Sequence, residues 1–259
     1  MNSFDFLTQD NMKKIFLTLI LLQTLSIGSI LAQKGFEAGI AVQYSSVWIY
    51  NQTDFDKGPE LDLKPTYGLS YGANLSYGFA PRHGFRVGYF MSEQGQIYST
   101  DDRFTKFPNQ KFLTKLTYTQ IPFQYRYTSD LTGRNTAFMI CVGPQFGMLK
   151  KATATSLSPA IIDTVTNDTS YTIKPSEDVL KNFNSLDISA AVSLGMIARF
   201  TEQLHMNATL NIAYSISDIE ASATKAPNRV ASRNAVVGIQ VGFYYLFNGP
   251  PMVHKPKLR

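Results

Sequence analysis

Residues able to carry acid–base, nucleophilic or metal chemistry are few in this chain. In 259 residues there are three histidines, His83, His205 and His254, and one cysteine, Cys141. A hydrolase or acyltransferase needs an imidazole within hydrogen-bond reach of a Ser or Asp, and a metal centre needs several His, Cys or carboxylate ligands in one place. Neither pattern is written here, and no catalytic residue, metal or cofactor is expected. What does recur is charge in a fixed phase. Glu37, Arg86, Arg126, Arg199 and His205 each fall near the end of an alternating segment, on its small and polar side. Three arginines beside one carboxylate in a low-dielectric interior would force Glu37 to pair with one or more of them. The excess positive charge would then be met by water or by a partner's anion. Two uses fit such a cluster: a plug that holds an interior shut, or a gate or docking point.

The elements that would position those residues are strands. Between 66 and 79 the odd positions are Tyr67, Leu69, Tyr71, Ala73, Leu75, Tyr77 and Phe79, and the even ones are Thr, Gly, Ser, Gly, Asn, Ser and Gly. Period two is the mark of a strand with two different faces; on a helix the same apolar residues would surround the axis without forming a stripe. Segments 185–200 and 204–216 repeat the pattern, and 36–50, 85–98, 115–128, 136–149 and 233–247 follow it less perfectly. The reading is all-β, with eight strands. Their connections alternate: 51–65, 99–114, 150–184 and 217–232 are long, whereas 80–84, 129–135 and 201–203 are short.

Strands of this length exceed the about 5–6 residues of ordinary globular proteins and suffice for the about 9–11 tilted residues that cross a bilayer. Long loops on one rim and tight turns on the other describe an eight-stranded antiparallel up-and-down transmembrane barrel with both termini on the short-turn, periplasmic side. A soluble barrel with a greasy interior is the rival. Charge placement favours lipid outside, because in segments 36–50, 66–79, 185–200, 204–216 and 233–247 the apolar register is free of charge between its ends, while Glu37, Asp187, Arg199 and His205 lie in the other. The Gly, Ser and Asn of that register suit a lumen that side chains fill. Tyr and Phe gather near strand ends, as interfacial girdles would require.

Residues 1–32 read as an N-terminal extension followed by a signal peptide. Lys13 and Lys14 precede an apolar stretch from Ile15 to Leu31 that ends at Ala32, the order a signal peptidase site needs; a retained membrane anchor is the alternative. Residues 33–247 would be the barrel and 248–259 a short Pro- and Lys-rich periplasmic tail. With 17% charged residues and a net charge of +5 spread over the chain, nucleic acid is not an expected partner.

Four stretches in this order carry a family resemblance: Gly88-Tyr-Phe-Met-Ser-Glu-Gln-Gly95, Gln120-Ile-Pro-Phe-Gln-Tyr-Arg126, Val142-Gly-Pro-Gln-Phe-Gly147 and Gly242-Phe-Tyr-Tyr-Leu-Phe247. The chain resembles the outer-membrane β-barrel domain proteins of diderm bacteria, labelled porin-family or PorT-like. The resemblance implies the fold and the outer membrane and carries no catalytic residues; some relatives are accessory parts of a protein-secretion machine. Such barrels commonly end at the final aromatic, whereas here Asn248 to Arg259 follow Phe247.

The expected partners are outer-membrane lipid and lipopolysaccharide, with a protein partner through loop 150–184 or the periplasmic rim. That loop holds the apolar pairs Ile161-Ile162 and Val179-Leu180, and long loops on rigid scaffolds are where binding concentrates. Acidic pairs at Asp54/Asp56, Asp101/Asp102 and Glu177/Asp178 could hold divalent cations against lipopolysaccharide phosphates, with solvated loop charge as the plain alternative. The functional expectation is a structural or interaction protein with a filled lumen. The alternatives are an accessory subunit of a secretion or surface machine, and a narrow channel or lipid-active enzyme.

Overall fold

In a computed structural model the described residues are 35–58, 61–100, 111–129, 135–157 and 176–247. They form nine strands in one antiparallel sheet: β1 Phe36–Tyr50, β2 Leu61–Ala80, β3 His83–Thr100, β4 Lys111–Thr128, β5 Thr136–Ser156, β6 Glu177–Asp178, β7 Leu186–Arg199, β8 Leu204–Ser215 and β9 Arg233–Phe247. A one-turn helix, α1 Gln52–Phe55, follows β1, with Asn51 as its cap. Consecutive long strands pair with each other, β5 pairs with β7, and β9 returns to pair with β1. β4 pairs with both β3 and β5. Eight of the nine strands are long, as the period-two segments require; the ninth, β6, is a two-residue strand laid along β5.

Three strands run well past their periodic segments: β4, which begins at Lys111, and β5 and β2, for which there is a physical reason. In β5 the pairing with β4 slips at Thr117/Tyr118, so that Leu149 faces Tyr118 and Lys151 faces Thr117, with Lys150 as the extra residue. A bulge of this kind flips the faces beyond it. Leu149 is buried on the odd phase and Ala152 on the even, which hides the continuation to Ser156 from a period-two reading. In β2 the pairing with β3 shifts between Pro65 and Ser70, and Asp62, Lys64 and Pro65 conceal a strand that begins at Leu61.

Faces separate as the parity requires. Ile40 is 70% exposed and Ile239 63%, and Val42, Tyr71, Leu75, Leu210, Ile212 and Phe243 are also outward. The buried set contains Ser45, Ser70, Asn74, Ser76, Gln94, Gln96, Ser193, Asn207, Thr209 and Gln240. This inverts an ordinary water-soluble core, where apolar side chains are the buried ones. At the long-loop end the inward phase turns apolar: Ile49, Leu116, Tyr118, Leu149 and Ala152 pack around Ile219 of the connection between β8 and β9. Buried polar side chains persist beside this cluster, among them Gln96, which accepts from the Ile49 N–H, and Asn234, which donates to the Tyr118 hydroxyl. Among the described residues no helix is long and apolar enough to cross a membrane.

Candidate functional site

The short-turn end is built by the first residues of β1, β3 and β8, the last of β4 and β7, and the turn between β2 and β3. Antiparallel order brings those strand ends to one rim, which is why Glu37, Arg126, Arg199 and His205 meet there although spread over the whole chain. Arg126 Nη1 donates to Glu37 Oε2 at 2.7 Å. His205 Nε2 lies 3.3 Å from Glu37 Oε1; the spacing suits an ion pair, but the atoms are out of line for a hydrogen bond, and both lack a hydrogen-bond partner. Arg199 is half-buried on the same side and acts on Glu37 electrostatically from a distance. These four residues border one cavity of about 110 Å³, with Arg82, His83 and Thr128 also on its wall.

Arg86, the remaining residue of the expected cluster, sits deeper and does not contact Glu37. Its Nη2 donates to Gln240 Oε1 and to the Tyr244 hydroxyl, each at 3.0 Å. Its Nε and Nη1 have no hydrogen-bond partner. Of the three arginines, Arg126 is the one hydrogen-bonded to Glu37. Arg86 has found neutral partners because Tyr244 reaches across the interior. Tyr244 stands opposite Gly39 in the β1–β9 ladder, and a Cβ at Gly39 would come within 2.3 Å of its ring. The ring stacks on His205 at 5.6 Å between centroids, and its hydroxyl also accepts from Asn74 Nδ2 at 2.9 Å. Sequence reasoning missed Tyr244. The signal was its even position beside Gly242 and Gln240, out of phase with the outward Phe243 and Tyr245.

Above this lies a layer of neutral amides. Asn211 Nδ2 donates to Gln43 Oε1 at 2.7 Å and to Gln240 Oε1 at 3.2 Å. A cavity of about 40 Å³ is enclosed among Gln43, Arg86, Gln120, Gln124, Asn211 and Gln240, polar and large enough for ordered water. Asp187, buried near the long-loop end, is held by Ser215, Ser217 and Asn234 at 2.8, 3.0 and 3.0 Å. Cys141 is fully buried among Ala137, Met139 and Ile197, facing inward as its parity requires.

The long-loop end contains a second ionic group that the sequence reading did not foresee. Arg229 donates through Nη1 and Nη2 to the two carboxylate oxygens of Asp54, each at 2.6 Å, and through Nε to Glu220 Oε2 at 2.8 Å. Ser232 Oγ donates to Glu220 Oε1 at 2.7 Å and accepts from Asn51 Nδ2 at 2.7 Å. These hydrogen bonds to two carboxylates raise the Arg229 pKa above its ordinary value. Asp54 thus serves Arg229 instead of standing with Asp56 as an acidic pair. Burial would raise the Asp218 pKa, but hydrogen bonds from Lys225 and from the backbone N–H groups of Glu220 and Ser232 outweigh it and hold the carboxyl below the usual value.

Of the apolar loop residues, Val179 packs against the Ile49–Leu116–Ile219 cluster and Leu180 is exposed. Ile161, Ile162, Asp101, Asp102, His254, the leader 1–32 and the tail 248–259 lie outside the described residues. His83 and His205 both sit at the short-turn end, and His83 Nδ1 contacts the Tyr125 hydroxyl. Among the described residues no group of three or more His, Cys, Asp or Glu is placed to hold a metal ion.

No protein-family model and no curated protein matches the chain. Similar solved structures include the outer membrane protein OprG from Pseudomonas aeruginosa, at 13% identity and a TM-score of 0.45, covering 83% of this chain and 97% of that one. A major outer membrane protein from Thermus thermophilus is 10% identical with a TM-score of 0.45, covering 81% of this chain and 99% of that one. Neisserial surface protein A is 12% identical with a TM-score of 0.40, covering 80% and 95%.

Proposed function

We propose that this chain is an outer-membrane protein, a closed eight-stranded β-barrel with a filled lumen that acts structurally and by interaction, without catalysis. The observation that carries the reading is the inversion of faces: apolar side chains outward, free of charge between the ends of β1, β7, β8 and β9, and hydrogen-bonded amides and hydroxyls inward. Water would not favour that outer face, and hydrocarbon requires it, because Arg or Lys at mid-membrane costs about 2–4 kcal/mol. The ladders from β1 round to β9, with β4 joined to β5, give each long strand two long neighbours, as a spanning sheet without edges needs. Residues 1–32 are then the export leader, cut near Ala32, 33–247 the barrel and 248–259 a periplasmic tail. With Gly35 and Phe247 at the short-turn rim, both termini face the periplasm, and lipid and lipopolysaccharide are the surroundings.

Within this reading, the connection between β5 and β7, including Ile161, Ile162, Val179 and Leu180, is the contact surface for a partner. Kinship with the PorT-like group belongs to the same proposal. A role as accessory subunit of a secretion or surface machine is the second reading, favoured by the positively charged recess at the short-turn mouth. Open conduction is disfavoured by the Gln, Asn and Tyr side chains that cross the interior.

Membrane fractionation with heat-dependent gel mobility tests the assignment. The folded protein should partition with outer membranes, need detergent for solubility and migrate differently before and after boiling. Leu210→Arg, on the outward register, should block assembly or cost about 2–4 kcal/mol, whereas Asn211→Gln next to it should still assemble. Equal effects, or a mature chain soluble without detergent, would overturn the reading.

A further inference from the structure

The short-turn recess holds more positive charge than its own carboxylate neutralises, and we propose that it binds a small oxyanion, a carboxylate or phosphate group. The cavity of about 110 Å³ far exceeds the ~10–15 Å³ one water requires. Among the described residues Glu37 is the one carboxylate on its wall, facing Arg126, Arg199 and His205. Arg126 already saturates one Glu37 oxygen. Arg199 lines the same space and reaches Glu37 only through long-range electrostatics, so its guanidinium is available for another acceptor. His205 lines the space too and is 4% exposed, its Nε2 set 3.3 Å from Glu37 Oε1 at ion-pair spacing but without a hydrogen bond.

Behind them Arg86 adds charge of the same sign, also buried and also with unpartnered nitrogens. A cation attracted to Glu37 Oε1 would have to enter this field against it. An oxyanion enters with it, and the planar guanidinium fork matches carboxylate and phosphate oxygens. Two parts of the wall are held in place: Tyr244 stacks on the His205 ring and Glu37 holds Arg126.

The oxyanion has two sources: a free anion in the compartment facing the rim, or an acidic side chain of a protein that docks there. The test is calorimetric titration of the purified full chain in uncharged detergent at low ionic strength. The probes are inorganic phosphate, a Glu-rich peptide and the matched Gln peptide. Saturable binding of phosphate or of the Glu peptide, with the Gln peptide silent, is expected. Arg199→Gln should weaken it about tenfold or more, the scale of one charge-assisted hydrogen bond, and Arg199→Lys, which keeps the charge, should weaken it less. Phosphate alone binding assigns a free anion; tighter binding of the Glu peptide assigns a docking protein. Heat-dependent gel mobility shows whether each variant is folded, and the lysine variant preserves the test should the glutamine variant misassemble. Wild-type protein that binds neither probe, or folded variants that bind as wild type, would overturn the site. That result leaves the barrel assignment untouched, because the barrel is tested by fractionation.

Discussion

At the long-loop end one arginine, Arg229, is divided between two carboxylates, Asp54 and Glu220, the second of which follows Ile219 of the apolar cluster in the chain. At the short-turn end Arg126, Arg199 and His205 share one carboxylate, Glu37, around open space. Both groups are ionic and both take charge out of water. In the first every carboxylate oxygen accepts a hydrogen bond, and its work is to tie the β8–β9 connection to the helix after β1. The second leaves Glu37 Oε1 and His205 Nε2 without a hydrogen bond, an expensive condition for a fold to keep unless something fills it. Full pairing marks a closure; deficient pairing around a cavity marks a place for a ligand.

Variants at the two ends separate these roles. Arg126→Ala should have the largest effect, about 3–5 kcal/mol, because it leaves Glu37 buried with only His205 beside it; urea unfolding followed by gel mobility reads this directly. Arg199→Gln at the same rim should leave the urea midpoint unchanged, and a large loss there would remove the contrast between the two arginines. Arg229→Gln should cost less, about 1–3 kcal/mol, and the loss should be local: hydrogen exchange should speed up in 216–232 while the strands keep their protection. Smallest is a pH effect on that same connection. The Asp218 carboxyl is held below its ordinary value in the folded protein. Its contribution is therefore present above the unfolded aspartate pKa of about 3.9 and is lost as pH falls through the lower folded value. Proteolysis of 216–232 should accelerate only in that acidic range, and Asp218→Asn should abolish the dependence.

Much of the fold was legible because a two-faced strand writes its geometry into residue type. β7, β8 and β9 appear within a residue of their periodic segments. The reading failed where geometry departs from period two: at Lys150, where a bulge reverses the faces, and at Pro65, where a strand begins among charges. Parity placed Glu37, Arg126, Arg199 and His205 at one rim, where all four border the same cavity, since antiparallel order maps strand ends to rims. It could not rank their partners. That Arg86 turns to Tyr244 depends on Gly39 vacating space in the neighbouring strand, a contact between residues 205 positions apart in the chain. The Asp54–Arg229 pair, 175 residues apart, lies in loops where no periodicity exists to read.

Cys141 gives the molecule an internal clock. It is the sole thiol of the chain and is completely buried on the inward face of β5, so a maleimide can reach it only when neighbouring strands part. The rate of that labelling reports how often the wall opens, without any probe having to be introduced.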